Sequence, residues 1–100
     1  CAVTGVTVPE LLRASHIKPW RESSNFERLD ENNGLLLIAS LDAAFDKNLI
    51  SFEDDGYVVF SQYLGENPCS ILGLSRDSRI VKKFNQHQLN YLRYNRQRLR

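Results

Sequence analysis

An α+β fold is predicted for this chain by three observations. Short β-prone runs flank Thr4-Gly5, and two more flank Asp55-Gly56. An apolar repeat of helical period joins Leu37, Leu41 and Phe45, with Ile38 and Ala44 beside it. Residues 85–100 carry a second such stripe, through Leu89, Leu92, Arg96 and Leu99, flanked by Tyr91 and Tyr94. At 100 residues the chain is long enough for one domain and too short for two. The order read is β-β-loop-α-β-β-…-α.

Taken in turn, residues 1–17 turn at Thr4-Gly5 and approach His16 in extended form. Pro19 disfavours helix at Lys18, so the chain also leaves the histidine extended. Residues 21–33 are polar and rich in turn formers, and are read as a loop; loops of that length inside small domains are often functional. Asn33-Gly34 introduces the first helix, expected from Leu35 onward. Residues 48–64 read as a β-hairpin, because Asp-Gly between β-prone runs suits a tight turn. Residues 67–83 give no clear pattern, and 85–100 form a basic helix.

Composition restricts the function classes. With 42% hydrophobic and 25% charged residues the chain resembles an ordinary soluble globular protein. Its longest apolar run, Gly34–Ala39, falls far short of the ~18–20 residues that cross a bilayer. No signal peptide is visible, and Cys1 and Cys69 form no CxxC pair, so neither a disulfide scaffold nor a structural zinc site is expected, and the expected compartment is the cytoplasm. Because the chain begins at Cys1 and not Met, we expect a domain excised from a larger protein. The net charge of +1 conceals an asymmetry: residues 76–100 hold eight basic side chains against Asp77, and residues 1–75 hold five basic against eleven acidic ones. A basic segment on an acidic body suits a polyanion at one place and a cation at another, although a basic stripe is also an ordinary solvated helix face.

Individual residues are ambiguous. A histidine beside an apolar run, such as His16, is more often structural than catalytic. Asp42 and Asp46 stand four apart on the expected helix, on one face, where like charges repel slightly. A solvated face explains such a pair, and so does a bound cation. Asn33 before Gly34 is a common turn pair.

Together these residues resemble the HNH nuclease family. The family's histidine context reads here as Ser15-His16-Ile17-Lys18-Pro19, followed by Asn33 and then Asp42. The similarity is greatest to the branch that opens with C-x-x-T-G, here Cys1 to Gly5, and continues through Asn33-Gly34-Leu35-Leu36-Leu37, Leu41-Asp42-Ala43-Ala44-Phe45-Asp46 and Leu49-Ile50-Ser51-Phe52. It covers about residues 1–60. Two positions depart from the pattern: Ser15 stands where many members have a metal-binding aspartate, and Asp42 replaces the last histidine of the name.

The resemblance implies a ββα-metal core with an added β-hairpin and a basic C-terminal helix, acting as a metal-dependent DNA endonuclease domain. His16 would be the general base, a role suited to the residue type that titrates nearest neutrality. Asn33 would orient the imidazole or bind the metal, and Asp42 would be a metal ligand, with Asp46 replacing the carboxylate absent at Ser15. Oxygen ligands favour Mg²⁺ or Mn²⁺ over Zn²⁺. Lys18, Lys82, Lys83, Arg93, Arg96 and Arg100 are the expected phosphate contacts on double-stranded DNA. A restriction or phage-defence enzyme with a recognition domain elsewhere in the full-length chain is the expected setting, and a homodimer would supply two active sites for two strands. The alternative is an HNH-like module that binds nucleic acid without cutting it.

Overall fold

A computed structural model describes all residues, Cys1–Arg100. Strand β1 (Leu12–His16) pairs antiparallel with β2 (Gly34–Ile38), with Leu12 opposite Ile38 and His16 opposite Gly34. Between them, residues 17–33 make two single-turn 3₁₀ helices and the short helix α1 (Asn25–Leu29). α1 starts where Ser24 accepts from the Glu27 N–H while the Glu27 carboxylate accepts from the Ser24 N–H. This reciprocal cap, S-x-x-E, satisfies two amides that a short helix otherwise leaves open. The start of α1 within this long polar segment is thus set by a local cap.

Helix α2 (Ala39–Asp46) follows β2 with no intervening loop. The helix expected from Leu35 therefore starts later: residues 34–38 are strand. Leu35 and Leu37 are buried and Leu36 is not, the alternation of a strand with one covered face. A short apolar run of this kind fits either state, and pairing with β1 decides it. From Leu41 the helical period takes over, and Leu41, Ala44 and Phe45 are buried. The β-prone runs around Thr4-Gly5 form no strands. The first hairpin is β1–β2, closed across the long connection.

β3 (Ile50–Phe52) and β4 (Val58–Phe60) form a second antiparallel pair. At its turn, Gly56 has φ 92°, and a Cβ there would lie 2.1 Å from the Ile80 carbonyl oxygen. Only glycine permits both that backbone conformation and that approach. Its carbonyl accepts from the Ile80 N–H at 2.9 Å, which fastens the 78–84 segment to the hairpin. Helix α3 (Pro68–Leu72) is peripheral. Helix α4 (Gln86–Arg96) is capped by Asn85 and Gln88 and inserts Leu92 and Asn95 into the interior.

One core joins these pieces: Ile17, Leu35, Leu37, Leu41, Phe45, Ile50, Phe52, Ile80, Phe84 and Leu92. Phe45 and Phe52 pack with ring centroids 5.5 Å apart. This packing fixes α2 against the end of β1, and so sets His16 relative to the aspartates of α2. No helix is long and apolar enough to cross a membrane.

Candidate active site

His16, Asp42 and Asp46 line a single cleft of about 310 Å³, together with Ser15, Trp20 and Asn95. His16 ends β1, and the two aspartates flank the buried stripe of α2. The His16 ring is half-buried, with its Nε2 3.2 Å from the Arg28 carbonyl oxygen. A carbonyl can only accept, so Nε2 carries the proton, and in the neutral ring Nδ1 keeps the lone pair. Trp20 stands edge-on to the imidazole at 5.6 Å between centroids, and the Arg28 guanidinium covers the Trp20 ring at 4.3 Å. Arg28 Nε also donates to the Trp20 carbonyl at 2.9 Å, so the segments holding the imidazole are tied to each other.

Ser15 explains one departure seen in the sequence. It is buried, and its hydroxyl donates to Asp42 Oδ1 at 2.5 Å. Asp42 Oδ2 has no hydrogen-bond partner in the protein, and Asp46 is exposed and makes no side-chain hydrogen bond. Neither carboxylate lies within 4.0 Å of a basic nitrogen. Asp46 closes α2, where the negative end of the helix dipole disfavours a carboxylate, and a like charge stands one turn away. A cation between Asp42 and Asp46 would relieve both effects.

The donor set fits a hard cation that keeps much of its water. It offers carboxylate oxygens in an open cleft, and no three His, Cys, Asp or Glu side chains converge into a closed cage. That set suits Mg²⁺-like ions, which prefer one or two carboxylates plus water and phosphate.

Asn33 does not belong to the cleft. It is fully buried, its Oδ1 accepts from the Lys18 N–H at 2.7 Å, and its Nδ2 donates to the Glu27 carbonyl at 3.0 Å. Its own carbonyl accepts from the Ile17 N–H at 3.0 Å. Here Asn33 is a brace: both polar atoms of its side-chain amide are engaged in holding the chain that follows His16.

The expected phosphate contacts are dispersed. Lys18 is paired with Glu27 at 2.9 Å. Arg93 and Arg96 both grip Asp54, each at 3.0 Å, and Arg96 also donates to the Phe52 carbonyl at 2.8 Å. Lys82 and Lys83 are exposed beside a separate pocket along Gly34–Leu36. Arg100 lines a cavity that shares Trp20 and Asp46 with the cleft. The basic helix is thus largely an internal fastening.

The paired acids respond accordingly. Hydrogen bonds from Arg93 and then Arg96 hold Asp54 below the ordinary carboxylate range. The Tyr94 hydroxyl, followed by Arg98, does the same for Glu22. For Glu27 the Ser24 N–H leads and Lys18 adds to it, and for Asp30 the Asn32 N–H leads and the Tyr91 hydroxyl follows. Tyr91 is pushed up to about 12, by burial first and by Asp30 second.

Sequence pattern does not single out Asn95. It is buried in the cleft wall, where its Nδ2 donates to the Ile17 carbonyl at 2.8 Å and its Oδ1 accepts from the Ser51 hydroxyl at 2.7 Å. An asparagine beside the buried Leu92 position of a helical stripe is the only local signal. Its partners lie far away in the chain.

With this geometry in place, the comparison with known families is specific. The family model described as HNH endonuclease matches residues 1–53, which contain β1, β2, α2 and β3. No curated protein matches the chain.

Proposed function

The chain belongs to the HNH endonuclease family, and from that premise we propose that its cleft hydrolyses phosphodiester bonds of double-stranded DNA, with His16 as general base and Asp42 and Asp46 holding one divalent cation, Mg²⁺ or Mn²⁺. The observation that carries this reading is the joint lining of one cleft by His16, Asp42 and Asp46, with Nδ1 of His16 left as the acceptor.

The β1–β2–α2 order supplies the ββα unit. His16 Nδ1 takes a proton from the attacking water as its oxygen bonds to phosphorus. The phosphorus–O3′ bond breaks, leaving a 5′-phosphate and a 3′-hydroxyl that is protonated from solvent. When bound, the cation supplies Lewis-acid neutralisation of the phosphate and of the leaving oxygen. Ser15 orients Asp42, Arg28 fixes the imidazole tautomer, and Asn33 and Asn95 hold the N–H and the carbonyl of the Ile17–Lys18 peptide. Such bracing matters because a displacement of about 1 Å costs on the order of 100-fold in rate.

We place the domain in a restriction or phage-defence enzyme whose recognition domain lies elsewhere in the full-length chain, with a homodimer as the means of cutting both strands. The test is nicking of a supercoiled plasmid with Mg²⁺, Mn²⁺ or EDTA, run beside His16→Ala. Metal-dependent nicks that vanish in the variant support the reading. Salt-sensitive plasmid retention without cleavage in any metal would replace it with a binding module.

A further inference from the structure

We infer that a cationic groove continuing from the cleft, with Arg21, Lys47 and Arg100 on its rim and Trp20 at its mouth, holds the sugar-phosphate backbone of the DNA beside the cleavage site; this rests on the nuclease reading above. A cavity of about 530 Å³ adjoins the cleft, and Pro19, Trp20 and Asp46 line both. A polymer seated at His16 and Asp46 therefore has this cavity directly beside it.

The charge of this groove is available. Arg21, Lys47 and Arg100 are exposed, line it, and make no ion pair with any carboxylate. Its carboxylate besides Asp46 is Glu22, which is engaged by Arg98 at 2.8 Å and accepts from the Tyr94 hydroxyl at 2.6 Å. Arg93 and Arg96 of α4 converge instead on Asp54. Arg100 is held in place: its N–H donates to the Asn48 carbonyl at 2.9 Å, and its guanidinium lies 4.4 Å from the Tyr63 ring centroid. Trp20 is 54% exposed, a large apolar surface at the junction of the two cavities, suited to a sugar or base. Unpaired cations beside an aromatic surface favour phosphate contacts that position a strand without reading its sequence.

The experiment measures affinity for a short fluorescein-labelled DNA duplex against salt concentration, in a His16→Ala background so that the duplex is not cut. Removing one cation that neutralises a phosphate lowers the slope of log K against log salt by about 0.9. The triple variant Arg21→Gln/Lys47→Gln/Arg100→Gln is expected to reduce it by roughly 2–3, and Arg93→Gln/Arg96→Gln to leave it unchanged. Lys47→Gln alone, at an exposed position whose side chain makes no hydrogen bond, should lower the slope by about 0.9 and carries the test if the triple variant misfolds. An unchanged slope in the groove variants, or a reduced slope in the α4 variant instead, overturns the groove. If the chain with His16 intact nicks plasmid in the same series, the nuclease reading survives that outcome. A chain that neither nicks nor binds overturns both.

Discussion

Two sets of carboxylates in this domain stand in contrast. Asp54 and Glu22 lie at the seams between α4, the β3–β4 turn and the long β1–β2 connection, Glu27 lies within that connection, and each holds one or two cations at 2.8–3.0 Å. Asp42 and Asp46 lie in the cleft, one turn apart on α2, with no basic nitrogen within 4.0 Å of either carboxylate. The same side-chain type thus serves as fastening in one place and as uncompensated charge in the other. Surface ion pairs contribute little individually, so the first group mainly fixes geometry. The second group stands where the proposed cation would offset the repulsion between its two members.

Substitutions should separate the groups. The largest effect is expected from His16→Ala, which removes the proton acceptor and should cost about 10²–10⁴-fold in plasmid nicking while duplex affinity persists. Undiminished nicking would remove His16 from the mechanism. Next is Asp42→Asn, which keeps an oxygen for the Ser15 hydroxyl but loses the charge. Nicking should collapse with little change in melting temperature, and full activity would place the metal elsewhere.

Asn95→Leu crosses between the groups, because Asn95 sits on α4 yet lines the cleft. It leaves the Ile17 carbonyl and the Ser51 hydroxyl unsatisfied, at about 1–3 kcal/mol each in urea unfolding. A loss of nicking beyond the fraction unfolded would mark it as a positioning residue. A loss that merely tracks unfolding would make it structural only.

How much of the fold and site is legible in the sequence depends on the range of the interactions. The approach to His16, the α2 stripe and the Asp55-Gly56 turn are local patterns, and they are legible. The Leu35–Ile38 run reads as helix because the strand that pairs with it lies beyond a long connection. The S-x-x-E cap at Ser24 is a local signal hidden within a polar stretch. The bond of Ser15 to Asp42, the bracing by Asn33 and the grip of Arg93 and Arg96 on Asp54 depend on elements meeting in space. No spacing rule reports these. Charge asymmetry locates the basic helix, but composition does not show which of its cations already have partners.

Acid should affect the fastening group, and Asp30 with it, first. Asp54, Glu22, Glu27 and Asp30 are all held below their ordinary values, 3.8 for Asp and 4.5 for Glu. A depressed folded-state pKa adds stability that is complete above the unfolded value and is lost as pH falls through the folded one. Stability should therefore be flat near neutrality and decline below about pH 4.5 as these four groups protonate. A decline that begins near pH 6 would point to histidine instead. Asp54→Asn, the smallest effect, should lower stability at pH 7 by less than about 1 kcal/mol and leave nicking intact.

The most direct measurement is calorimetric titration of Mn²⁺ into the wild-type chain, Asp42→Asn and Asp54→Asn. The account predicts binding by the wild type and by Asp54→Asn, and a loss of affinity in Asp42→Asn alone. Equal affinity in all three, or a loss confined to Asp54→Asn, would contradict the assignment of the cleft carboxylates to the cation.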